Sequence, residues 1–406
     1  MKAGISVSPI VAVQPAPPPI LRAARLGSLD AFRGFIMFWI VGGSALIFGW
    51  HNLGGNVVID QIIRQLHHTD WQGMRFYDLI WPAFMLMTGV SLPFSYAKRR
   101  QTKTHAEIFW RVARRCAILF LLGSLRESVR LNAPHLVELS SALQPIAIAY
   151  FCAFLLVRRS GRLQAAVSIG ILALYGLLLA LAVAPGVPAG SYVRGANLVY
   201  YVDMAVLHRA LPEGWGTVIS TIPTISTTIL GLLIGRLLMS ERTAREKIGF
   251  IAGVGIAGIA LGWALNPVVP IIQKLWTASY GLASAGWSCL MFLFFYWIVD
   301  VRGYRRWAFP FAVIGHECRR SLHGGFAAAS SQNSGDLHGR DGRRIGAVRR
   351  AVPSSRRAAG RVVDPLLDVP AQDLPDRVDP GYRLVIALFI TAGLATFRRK
   401  NPSCMF

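Results

Sequence analysis

Apolar runs of about 20 residues recur through most of this chain, and a helix of that length spans the hydrocarbon core of a bilayer. Inside lipid no water satisfies backbone N–H and C=O groups, so such runs must form helices that close their own hydrogen bonds. Runs of this kind fall at about 32–50, 76–95, 112–126, 140–157, 163–184, 217–236, 248–265 and 280–299. A ninth is expected to begin near Trp307, and a last one to cover about 383–397. The 406 residues are 53% hydrophobic and 16% charged. Their mean hydropathy of +0.45 is too high for a soluble domain. The predicted fold is an all-α, polytopic integral-membrane helical bundle of about 8–10 transmembrane helices.

A formal charge of +23 could suggest nucleic acid, but where the charge sits matters more than its sum. With the N-terminus in the cytoplasm, the inner segments hold 21 Lys and Arg and the outer loops hold 7. That bias over mostly short loops is the positive-inside pattern. It predicts an integral membrane protein with a cytoplasmic N-terminus and with residues 51–75 outside. The charges are read as orientation anchors, so the lipid bilayer is the expected partner and nucleic acid is not. Whether the chain forms a homo-oligomer is left open. Cys116, Cys152 and Cys289 sit in apolar runs, with no metal-ligand or CxxC spacing, so neither a metal site nor a disulfide framework is expected.

Residues 1–27, with Pro15, Pro17, Pro18 and Pro19, read as a disordered cytoplasmic lead rather than a cleaved signal. Small residues four apart (Gly231 and Gly235, Gly249 and Gly253, Gly258 and Gly262) are expected to let helices approach closely. The segment 316–382 is unlike the rest: residues 317–406 carry 15 basic residues, 14 of them arginine. One reading is a disordered extension. The favoured one is a shifted reading frame, because apolarity stops abruptly at His316. Gly315 to Ala329, read one nucleotide later with ordinary codons, permits Gly-Met-Asn-Ala-Val-Ala-Pro-Ser-Met-Ala-Ala-Ser-Leu-Leu, which would continue a membrane helix. Residues 383–406 would then hold the last helix and tail.

The stretch His67-His68-Thr69-Asp70-Trp71-Gln72-Gly73 runs into Phe76-Tyr77-Asp78-Leu79-Ile80-Trp81-Pro82. Ionisable groups at a membrane boundary are costly and so are functional suspects. An imidazole can pass a proton or hold an acyl group, and a nearby carboxylate can fix its tautomer. His68 with Asp78 is the candidate pair; the alternative is an exposed loop histidine. Ser28 could cap the first helix, and Asp30 and Arg33, three apart, could pair on one face. Gln144, beside Pro145, is read first as a buried amide bonding a neighbouring helix. Lys274 and Trp276 read equally as interfacial anchors or as site residues. The Thr221-Ile222-Pro223-Thr224 hydroxyls could satisfy backbone near the proline.

Five segments in order resemble the heparan-alpha-glucosaminide N-acetyltransferase-like transmembrane acyltransferases and their bacterial members. They are Ser28 to Gly43, His68 to Ser95, Ala142 to Tyr150, Ser220 to Gly235, and Lys274 to Phe311. The resemblance covers about 28–315 and marks that range as an acyltransferase-like domain. It implies transfer of an acetyl group from cytosolic acetyl-CoA, as donor substrate, to an amino sugar or other glycan across the membrane. The family's active-site histidine, three before the Trp of His-x-x-Trp-x-Gly, carries over to His68; Trp71 is that Trp. The acid of Asp-Leu-Ile-x-Pro carries over to Asp78, and that of the first helix to Asp30. Arg33, Arg114 and Arg115 are placed by position to hold donor phosphates; Gln144, Lys274 and Trp276 support the site. Two departures stand out: Gln72 where members often have Asn, and Pro145 where they often have Arg. Members also continue with apolar helices after Gly315, so the tail as written would damage the bundle and its activity. The alternative function is a transporter or lipid-linked sugar carrier without acyl transfer. No long internal repeat is visible, and the acids lie near helix ends, which argues against it.

Overall fold

The computed structural model describes residues 26–51, 57–132, 136–137, 139, 142–209 and 211–314. The N-terminal lead, the frame-shift reading after Gly315 and the helix expected at 383–397 lie outside the described residues. Ten α-helices appear among those described: α1 (Gly27–His51), α2 (Val57–Gln65), α3 (Ile80–Arg100), α4 (His105–Leu131), α5 (Leu143–Leu155), α6 (Gly161–Leu181), α7 (Leu198–Leu207), α8 (Ile222–Met239), α9 (Ala244–Leu265) and α10 (Ala278–Phe295). A 3-10 turn, Phe76–Leu79, leads into α3, and a π-helical turn, Tyr296–Val301, ends α10. The described strands form one two-residue hairpin, β1 (Tyr192–Val193) against β2 (Ala196–Asn197).

The chain is an all-α polytopic membrane protein. Among the described residues, five helical spans are long and apolar enough to cross a bilayer: Phe76–Arg100, Gly161–Leu181, Ile219–Met239, Ala244–Leu265 and Ala278–Val301. Each of the eight apolar runs read from the sequence holds a helix among the described residues, and the chain is helical again at 309–314, near the expected ninth. Two differences are informative. Segments 51–75 and 185–216, expected as outer loops, hold α2 and α7 rather than loop alone, and α4 starts at His105, well before residue 112. Charged side chains in the first two turns of α4 lower its hydropathy but do not stop an amphipathic helix from forming.

Alpha1 pairs with α3 and α10 through a core of Phe32, Ile36, Met87, Val90 and Phe292, all buried. Alpha3 and α8 approach until backbone touches backbone. A Cβ at Gly89 would lie 2.0 Å from the Thr228 carbonyl oxygen, and one at Gly231 would lie 2.1 Å from that of Leu86. Gly258 and Gly262 meet α10 in the same way. Gly249 and Gly253 do not share this role: nothing lies within 4 Å of either. They occupy the face of α9 opposite Gly255, Gly258 and Gly262, because four residues advance a helix only about 40°. Large apolar side chains on the outer faces of α6 and α9, such as Ile169, Leu174 and Ile256, are exposed as a lipid-facing surface requires.

The expected capping of α1 by Ser28 is replaced by a longer-range device. The helix starts at Gly27, so Ser28 lies inside its first turn. The Gly27 and Ser28 amides donate to the Asp300 carboxylate at 3.0 and 3.2 Å. Helix N-termini leave such amides unpaired, and an acid there also favours the helix dipole. This contact joins the start of α1 to the end of the α10 span. The turns α3–α4, α5–α6 and α8–α9 lie at that same end, while residues 65–79, 182–218 and 266–277 gather at the other.

Candidate active site

Asp78 lies in the 3-10 turn that opens α3 and is fully buried. Its carboxylate reaches back to the Arg75 amide, which donates to Oδ2 at 2.8 Å, as an acid in a first helical turn does. The Thr69 hydroxyl donates to the same oxygen at 2.6 Å. His68 Nδ1 lies 2.7 Å from Oδ1. A carboxylate only accepts, so this set places a proton on Nδ1, and in the neutral ring Nε2 is then the lone-pair nitrogen. Nε2 has no hydrogen-bond partner among the described residues, and the His68 side chain is 39% exposed. The imidazole thus combines a buried anchor with a partly open ring.

Residues far away in sequence hold this pair. The Tyr280 hydroxyl donates to the Asp78 carbonyl at 2.6 Å, and Gln273 reaches that carbonyl at 3.4 Å. The Arg75 guanidinium donates to the His68 carbonyl at 2.9 Å. The His68 ring packs edge-on against Tyr77 at 4.8 Å and against Trp215 at 5.2 Å between centroids. The Gly73 amide donates to the Ile271 carbonyl at 2.8 Å, and Tyr175 donates to that of Leu275 at 2.6 Å. Residues 66–75, 213–217 and 271–277 are therefore tied to one another around the imidazole.

Lys274 joins this cluster. Its side chain is 3% exposed and its Nζ lies 3.0 Å from Glu213 Oε2. The same ammonium stands 5.5 Å from the centroid of the Trp215 ring, a cation–π distance. One indole thus touches both the imidazole and the ammonium. The Gly216 amide donates to the Lys274 carbonyl at 2.9 Å, a second tie between the two loops. Glu213 is 66% exposed. The hydrogen bond and charge of Lys274 hold its carboxyl below the usual range, with Trp215 and His68 contributing less.

The other sequence candidates divide. Trp71 donates to the Tyr192 carbonyl at 2.9 Å and stacks under Arg194 at 5.0 Å, fixing the β1–β2 hairpin over the site. Trp276 is 5% exposed and packs edge-on against Trp81 and Tyr280. Neither Lys274 nor Trp276 is an interfacial anchor, since both are buried inside the bundle end. Gln144 is fully buried and bonded to the Leu139 amide, Ser124 and the Leu136 carbonyl, so it braces α5 against α4. Thr221 and Thr224 donate to the Thr217 and Thr221 carbonyls, satisfying backbone near Pro223 as expected.

Arg33 and Asp30 pair at 3.3 Å, as their spacing predicts, and Arg33 Nε also reaches Met87 Sδ at 3.3 Å. Arg115 lies over the Tyr150 ring at 5.9 Å, close to Arg99. Arg114 is exposed, one residue and about 100° around the helix from Arg115. Arg115 lies on α4, antiparallel to α3, and its charge acts on Arg99, near the end of α3 opposite Asp78. Asp78 and Arg99 are about 30 Å apart along α3 at 1.5 Å per residue. The structure therefore does not gather Arg33, Arg114 and Arg115 around the imidazole.

Sequence reasoning missed Glu213, Trp215, Gln273, Tyr280 and Thr69 as parts of the site. Thr69 was the most legible, beside His68. The others lie 130 or more residues away, where local spacing carries no signal.

No protein-family model matches the chain. It is 24% identical over 344 residues to the Homo sapiens protein heparan-alpha-glucosaminide N-acetyltransferase, covering 69% of this chain and 49% of that one. The chain thus spans about half the length of the curated relative it matches, and the likeness is that of a distant relationship to an N-acetyltransferase.

Proposed function

We propose that this protein is an integral-membrane acyltransferase that moves an acetyl group from acetyl-CoA to an amino sugar or other glycan acceptor. The observation that carries this reading is the His68–Asp78 pair: an imidazole anchored through Nδ1 at 2.7 Å to a buried carboxylate, with Nε2 unpartnered among the described residues. A histidine held in that way is built to take a proton or an acyl group at one nitrogen. The distant likeness to an N-acetyltransferase supports the reaction class.

In this reading the donor approaches from the cytoplasmic end of a bacterial inner membrane, and the acceptor from the opposite face. Its phosphates meet the basic residues of that end, Arg115 beside Tyr150 first among them, with Arg33 and Arg114 as flanking charge. The acyl end of the donor reaches His68 across the depth of the bundle. Nε2 takes a proton from the acceptor amine as nitrogen attacks the thioester carbonyl, or takes the acetyl group itself before passing it on. Asp78 holds the ring and stabilises the imidazolium in either case. The buried Lys274 ammonium favours negative charge developing on the carbonyl oxygen.

The test supplies labelled acetyl-CoA and a panel of amino sugars to purified protein. Labelled N-acetyl product or thioester hydrolysis is the expected result. Substrate-dependent ion flux in liposomes without acyl turnover would favour the carrier alternative and overturn this one.

A further inference from the structure

Beside His68 stands a carboxylate with no part in the transfer described above. Glu213 is 66% exposed, yet its Oε2 is fixed at 3.0 Å by an ammonium that is itself almost wholly buried. That is the reverse of a usual surface ion pair, in which two long exposed side chains wander. Here one partner cannot move, so the exposed one is held in place. Its backbone contributes to that placement: Glu213 has φ 60° and Gly214 has φ 78°, a left-handed turn that brings the side chain back towards Lys274. Trp215, two residues on, packs against the His68 ring at 5.2 Å and lies under Lys274 at 5.5 Å. Carboxylate, indole, ammonium and imidazole therefore share one rim.

We propose that Glu213 is the specificity-determining residue for the acceptor: pinned by Lys274 beside the imidazole, its exposed carboxylate selects a protonated primary amine over a neutral hydroxyl. Lys274 occupies one oxygen and leaves acceptor capacity on the carboxylate for the N–H groups of an incoming ammonium. The inference rests on the acyl-transfer reading, and it balances with it. An ammonium loses one proton to become the nucleophile and a second when the amide forms. One of these protonates the departing thiolate and the other leaves to solvent through His68 Nε2. A hydroxyl acceptor brings no charge and draws no benefit from Glu213.

Two measurements separate this inference from the reading beneath it. The first is calorimetric titration of the full-length protein in detergent with D-glucosamine and with D-glucose, without donor. The wild type is expected to bind glucosamine at least tenfold more tightly than glucose. Glu213→Gln is expected to abolish that preference and Glu213→Asp to retain it. The second compares kcat/KM for acetyl transfer to the two sugars. In Glu213→Gln the amine-to-hydroxyl ratio is expected to fall about tenfold, through KM for the amine. An unchanged ratio, with both rates falling together, would reduce Glu213 to a brace for Lys274 and overturn the inference. Equal binding of both sugars by the wild type would also overturn it. Amine-selective binding lost in Glu213→Gln, without turnover of acetyl-CoA, would uphold the amine site and strike the acyl-transfer reading alone.

Discussion

His68 Nδ1 lies 2.7 Å from Asp78 Oδ1, across the junction between the loop before Phe76 and the turn that opens a membrane helix. The carboxylate is wholly buried and the imidazole is 39% exposed. Asp78 has further bonds to the Thr69 hydroxyl and the Arg75 amide, so its place does not depend on the imidazole. The ring is oriented by a rigid group rather than the reverse.

Replacing that carboxylate by an amide tests the orientation. In Asp78→Asn the amide nitrogen can face Nδ1, which favours the wrong tautomer and removes the charge that stabilises an imidazolium. Transfer is expected to fall about a hundredfold or more, in the range of lost acid–base catalysis. Far-ultraviolet circular dichroism should keep its helical signal. Near-normal kcat in this variant would contradict the assigned role.

The two kinds of glycine pair give opposite expectations. A Cβ at Gly89 would stand 2.0 Å from a backbone oxygen of α8, so Gly89→Ala must push two helices apart. A cost of about 1–3 kcal/mol or more is expected, read as a lower thermal midpoint in detergent. Gly249 meets nothing within 4 Å. Gly249→Ala is expected to be neutral or to gain up to about 1 kcal/mol in helix propensity. Equal losses at both positions would contradict the packing described.

The helices were the most legible part of the sequence, because 20 apolar residues in lipid leave the backbone one solution. The pairing of His68 with Asp78 was legible too. His68 and Asp78 lie ten apart, and an acid just inside a helix start is a local signal. What closes around them was not. Tyr280 is 202 residues from the carbonyl it bonds, and Lys274 is 61 from Glu213. Such contacts depend on which loops meet at one end of the bundle, and a single chain's spacing does not encode that. Ser28 shows the same limit: a local cap was expected where Asp300, 272 residues on, supplies the contact.

That contact has its own consequence. Asp300→Ala leaves the Gly27 and Ser28 amides without their acceptor. A loss of about 1 kcal/mol, typical of a removed helix cap, is expected in thermal unfolding. An unchanged midpoint would mean that solvent or another group satisfies these amides equally well.

The Lys274–Glu213 tie carries a pH signature. Lys274 lowers the Glu213 carboxyl below its usual range in the folded protein. Its contribution is therefore complete above the carboxylate's unfolded value, about 4.3. It fades as pH falls through the lower folded value. The midpoint difference between wild type and Lys274→Met should accordingly be present at neutral pH and shrink in the acid range below that value. A difference that is unchanged at pH well below it would contradict the ion pair as its source.

The most direct measurement is transfer of labelled acetyl from acetyl-CoA to glucosamine by His68→Ala, alongside wild type in equal amounts of inserted protein, with and without added imidazole. Loss of at least a hundredfold, with partial recovery when imidazole is supplied, is the expected result. Wild-type turnover in the alanine variant would contradict the central role of this histidine.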